Sequence, residues 1–153
     1  MTAHQELETF FAKYDAGVVR TARGALRRLR QQFPGATSLV YDNYNALVIG
    51  FGPSERASDA VLSIALYPRW VTLFFLQGAA LPDPHKVLQG SGKIVRSVRL
   101  DRIEILDEPA VRELIEVAAR DSGMETGKGK LVIRSISKVQ RPRRPRAVKR
   151  SQK

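Results

Sequence analysis

Along residues 16–33 the apolar positions keep a helical rhythm. Val19, Ala22, Leu26, Leu29 and Phe33 recur at steps of three and four, which sets them on one face of a helix. Arg20, Arg23, Arg27 and Arg30 follow the same rhythm one step along, so a basic stripe runs beside the apolar one. Asp15 stands where an N-cap belongs and can accept bonds from the helix's free amides, and Pro34-Gly35 ends the pattern. Upstream, Leu7, Phe10, Phe11 and Tyr14 predict a shorter helix over residues 6–14.

The period then changes. Residues 38–41, 46–51, 61–67 and 70–76 are short apolar segments rich in β-branched and aromatic side chains, separated by turn-forming stretches at 42–45 and 67–70 and a polar loop at 52–56. Strands joined this closely pair antiparallel, because a parallel crossover needs about a dozen residues or more. Residues 61–66 and 71–76 are apolar at nearly every position, so both faces are expected to be covered, or one to meet a second copy in a homodimer. A loop punctuated by Pro and Gly leads to a fifth strand over 94–100. Asp107, Glu108 and Pro109 start a last helix, with Val111, Leu114, Ile115 and Ala118 on its buried face and Gly123 to close it. Residues 131–136 are a further candidate strand. The pattern predicts an α+β domain over residues 1–136: an antiparallel meander of about five strands, packed by N-terminal helices and one C-terminal helix.

Charge alters this picture in one place. The chain of 153 residues carries a net charge of +11, but eight of its Lys and Arg, with no acid among them, fall between residues 138 and 153. The remainder holds 18 basic against 15 acidic residues and is close to neutral. Residues 137–153 are therefore expected to form a disordered basic tail, since RPRRPRAVKRSQK has no apolar period to offset its ordering entropy. Arg141, Arg143, Arg144, Arg146, Lys149 and Arg150 could neutralise nucleic-acid phosphates there. The arginine stripe at 20–30 reads as a solvated face, because no side chains suited to base edges interleave with it. With no cysteine, thiolate metal sites and thiol nucleophiles are excluded. The first fifteen residues lack the apolar core of a secretory signal, and the longest apolar run is too short to span a bilayer. The expectation is a soluble cytoplasmic protein with no membrane association.

Candidate chemistry is sparse. GSGK at residues 90–93 suggests a phosphate loop, but residue 87 is Val where that motif needs Gly. Ile94 takes the place of the magnesium-holding hydroxyl, and a strand rather than a helix follows. What survives is an anion-binding surface of Gly90, Gly92, Lys93, Arg96 and Arg99. His4 and His85 are the only imidazoles, without ligand-spaced partners, and no nucleophile turn of the G-x-S-x-G kind occurs. Neither a catalytic residue, a metal ligand nor a cofactor is assigned.

The stretches YNALVIGFG (44–52), SIALYPR (63–69) with residues 70–78, and GSGKIVR (90–96) resemble the YdhG-like domain family, a likeness running from the second helix to the last. The resemblance implies a compact α+β fold with helices on an antiparallel sheet, and makes the Gly-Lys turn a family feature before a strand. Some members are described as frataxin-like iron chaperones, a role that implies a ridge of exposed carboxylates. Here the first helix offers only Glu6 and Glu8, so that role is carried over to no residue. The function expected is a non-catalytic binding module for an anionic small molecule or an acidic protein partner, with nucleic-acid association through the tail as the alternative.

Overall fold

The computed structural model describes residues 1–145. Helix α1 (Ala3–Phe11) opens with a capping box: the Thr2 hydroxyl accepts from the Gln5 amide at 3.1 Å, and the Gln5 side chain accepts from the Thr2 N–H at 2.8 Å. Helix α2 (Ala16–Gln32) follows after a four-residue link and buries Val18, Ala22, Ala25, Leu26 and Leu29. Asp15 occupies its N-cap position, but its side chain makes no capping bond. It faces Arg144 at 3.4 Å instead, which corrects the capping role expected for it.

Strands β1 (Thr37–Asp42), β2 (Leu47–Gly52), β3 (Leu62–Leu66), β4 (Val71–Phe75) and β5 (Arg96–Leu100) form the expected meander, each pairing antiparallel with the next. Helix α3 (Pro109–Ala119) starts with Pro109 in its first turn and buries Val111, Leu114 and Ile115. It ends before Gly123; Asp121 takes the left-handed conformation (φ 61°) after the last turn. Strand β6 (Leu131–Ile136) then joins the sheet beside β1.

Among the described residues the sheet therefore has six strands, not five, in the order β5-β4-β3-β2-β1-β6, and it is mixed. The β1–β6 pair is parallel because the chain crosses from one sheet edge to the other through α3, a connection long enough to bring the new strand back in the same direction. Two glycines fix where it lands. A Cβ on Gly127 would sit 2.1 Å from the Gly35 carbonyl oxygen, so only bare backbone passes here. Just beyond, the Ser38 amide donates to the Lys130 carbonyl and sets the register.

One core holds these parts together. Alternate strand residues Val40, Ile49, Ile64, Leu73 and Val98 share a sheet face with the buried sides of all three helices. Phe11, Leu29, Phe51 and Phe75 are among its largest fully buried side chains, each contributing about 1.5–3 kcal/mol on burial. β3 and β4 lie inside the sheet with neighbours on both sides, and every residue of β3 is buried. In β4 all residues but the half-buried Phe74 are buried as well. No helix of the described residues is long and apolar enough to cross a membrane.

Candidate anion-binding groove between the first two helices

The Gly-Lys turn is not where the structure concentrates positive charge. Gly90 adopts φ +124°, a conformation that suits glycine, as the chain turns back toward β5. Lys93 is exposed, but its neighbours are occupied. Arg96 donates to the carbonyls of Gly92 and Val95, so it closes its own loop. Arg99 pairs with Asp101 at 2.8 Å and lies over the Trp70 ring at 4.4 Å. The structure thus brings Arg96 to Gly90 and Gly92, whereas Arg99 leaves the opposite face of β5 and lies with Trp70 and Asp101, so the five residues form no single surface and the two arginines already have partners.

The tail departs from its expectation more sharply. Arg143 is 5% exposed. Its guanidinium donates to the carboxylate of Asp42, itself 0% exposed, at 2.9 Å, and to the carbonyls of Asn43 and Tyr44. Lys13 donates to the other Asp42 oxygen at 2.7 Å and to Gln140 at 2.9 Å. Burial pushes the Asp42 carboxyl up, but the bonds from Lys13, Gln140 and Arg143 outweigh it and hold it below the ordinary carboxylate range. Arg144 donates to the carbonyls of Ala12, Lys13 and Tyr14, at the negative end of α1. Residues 137–145 therefore form an ordered strap. Charge-assisted hydrogen bonds to a buried carboxylate and to free carbonyls order it, a means that an apolar-period argument does not register. Of the six cations offered to nucleic acid, Arg143 is inaccessible, Arg144 is partly engaged and Arg141 is exposed over Tyr44. Arg146, Lys149 and Arg150 lie outside the described residues.

The basic stripe of α2 is no plain solvated face. α1 folds back along it, and the two helices enclose a cleft of about 370 Å³ lined by His4, Leu7, Phe11, Arg23, Arg27 and Arg30. A second cleft of about 540 Å³ continues it, sharing Glu8, Phe11 and Arg23 and adding Arg20 and Arg144. Within this groove Arg23 is neutralised by Glu8 through two bonds, one of 2.7 Å, and lies over the Phe11 ring at 5.0 Å. That pairing holds the Glu8 carboxyl below its usual value. Arg20 and Arg27 have no salt-bridge partner among the described residues.

Arg30 is the distinctive member. It is half-buried, one guanidinium nitrogen is wholly shielded, and that atom has no hydrogen-bond partner among the described residues. Burial alone lowers its pKa from the ordinary arginine value, though it stays charged at neutral pH. A guanidinium partly stripped of water and left without a counter-charge favours an anion nearby, since desolvation is otherwise uncompensated. Periodicity did place Arg20, Arg23, Arg27 and Arg30 on one face. It could not indicate that α1 would wall that face.

No family model, curated protein or solved structure matches this chain. Among the described residues no three His, Asp or Glu side chains gather in a group able to hold a metal ion.

Proposed function

We propose that the protein is a non-catalytic binding module for an anionic ligand, whose charged group sits between Arg27 and Arg30 in the α1–α2 cleft. The half-buried Arg30, with its unpartnered nitrogen, carries this reading. Arg27 supplies a second donor fork one turn away, and the His4 ring lines the same cleft. The cleft lies within the usual size of small-ligand sites, roughly 300–1,000 Å³. Leu7, Phe11 and Leu26 give it an apolar floor, whose low polarizability strengthens the attraction. The Gly90–Lys93 turn supports the reading less well, because Arg96 and Arg99 are engaged. Membership of the YdhG-like domain family is part of this proposal, supported by the α+β architecture alone. An iron-delivery role is not favoured, since Glu8 is committed to Arg23.

Titration with inorganic phosphate, followed by amide and guanidinium NMR shifts, tests the proposal. Shifts are expected at His4 and across residues 27–31, to be lost in Arg30→Met and retained in Lys93→Ala. Shifts confined to residues 90–97, or none, would overturn it.

A further inference from the structure

The two edges of the sheet are finished differently. Outside β5 the chain returns alongside, and Gln89 exchanges both backbone bonds with Ser97, at 2.8 and 2.9 Å. Outside β6 no strand follows among the described residues. The Lys130 carbonyl accepts from Ser38 and the Ser137 amide donates to Asp42, so these groups face β1. Between them the pairing passes over Arg134, one extra residue in β6. Alternation on either side of that residue turns the N–H and C=O groups of Leu131, Ile133 and Ile136 outward. Such an unpaired row is a template for another strand.

Two further features say what kind of strand. Leu131, Val132 and Ile133 are only half-buried, and Ile136 and Val139 are 50% and 70% exposed, so apolar surface flanks the open backbone. Residues 127–145 contain no acid, whereas Lys128, Lys130, Arg134 and Lys138 are exposed along the same stretch. Lys130 lies 3.7 Å from Glu55, and the other three have no salt-bridge partner among the described residues. We infer that β6 is a docking edge for an extended acidic segment of a partner protein, which adds to the sheet as a further strand. Main-chain hydrogen bonds hold the segment, and its carboxylates meet Lys128, Arg134 and Lys138. A second copy of this chain fits poorly, because β6 laid antiparallel on itself sets cation against cation. A nucleic-acid strand matches the charge but brings no amide ladder to pair with the edge. β6 lends no residue to the α1–α2 cleft, so the two surfaces act separately.

The probe is a fluorescein-labelled nine-residue peptide of alternating Glu and Val, titrated into the full chain by anisotropy, with amide hydrogen exchange measured on the complex. Binding should slow exchange at Leu131, Ile133 and Ile136. Ile136→Pro removes an outward N–H while leaving the Ser137 bond to Asp42 in place, and should weaken binding by about five- to tenfold. Arg134→Glu combined with Lys138→Glu should weaken it by about tenfold and confer binding of the corresponding Lys-Val peptide, a gain that misfolding would not produce. Arg30→Met should bind the Glu-Val peptide as the parent does. The inference is overturned if Ile136→Pro and the charge-reversed variant bind as the parent does, or if the peptide binds without protecting those three amides. Loss of binding in Arg30→Met would also overturn it, by moving the peptide to the cleft. So would protection of the three amides in the free chain that rises with protein concentration, the mark of a second copy, or the same protection produced by a single-stranded oligonucleotide.

Discussion

Replacing Arg143 by Ala isolates the strap's contribution to stability. In the parent, Asp42 is fully buried and carries two cations, one on each oxygen: Arg143 at 2.9 Å and Lys13 at 2.7 Å. Removing the guanidinium also strips the donor from the carbonyls of Asn43 and Tyr44. Breaking a buried ion pair by deleting one member costs about 3–5 kcal/mol. Lys13 remains, so the lower end, about 3 kcal/mol, is expected. Urea unfolding followed by the fluorescence of Trp70, the single tryptophan, measures it. With a slope of about 2 kcal/mol per molar, the midpoint should fall by about 1.5 M. Arg141→Ala, which changes an exposed cation over Tyr44, should move stability by less than about 0.5 kcal/mol. Adding Asp42→Asn to Arg143→Ala should recover about 1 kcal/mol, because a neutral amide is less costly to leave under-bonded. An Arg143→Ala midpoint within about 0.2 M of the parent would refute the claim that the tail's first half is a structural anchor.

Four further outcomes are expected. The folded-state pKa of Asp42 lies below its unfolded value, so its contribution is present above about pH 4 and is lost as pH falls through the depressed pKa. Asp42→Asn should therefore show a flatter acid limb in urea midpoints than the parent. Burial pushes the Tyr14 hydroxyl up to about 12, ahead of the opposing influence of Arg143. Its contribution is complete below about pH 10 and lost between about 10 and 12, about 2–3 kcal/mol, and this alkaline loss should vanish in Tyr14→Phe. At neutral pH the same substitution should cost about 1–3 kcal/mol, since it leaves the Leu47 amide and Leu66 carbonyl without the hydroxyl between them. Gly127→Ala forces backbone apart at Gly35 and should cost about 1–3 kcal/mol, with faster hydrogen exchange in β6 than in β3. Arg28→Ala, which removes an exposed pair with Asp107, should cost less than about 1 kcal/mol by thermal melting.

The parts of the fold that were legible in the sequence are those whose signal is local. The period of Ala22, Leu26 and Leu29 gave α2, and short turns at 42–45 and 67–70 gave the hairpins. Pro109 marked the start of α3. Strand β6 was harder to read because its residues are only half-buried or exposed at the sheet edge, which weakens the alternation. Its parallel pairing depends on a fit between Gly35 and Gly127, far apart in sequence. Arg143 looked like any other cation in a basic run because its partner, Asp42, stands 101 positions away. The groove was half legible: the arginine stripe could be read, whereas its wall and the desolvation of Arg30 are products of the α1–α2 packing.

Strand β1 waits a long time for its second neighbour. Ser38 pairs with Leu131, 93 residues later. At about 5–20 residues per second on the ribosome, the hairpin with β2 can form some 4–16 s before β6 emerges. Throughout that interval an apolar strand edge lies open to other nascent chains, and the charged segment that finally secures it is made later still. Slow elongation or premature termination between these two points would thus favour aggregation over folding, even though the finished domain is well packed.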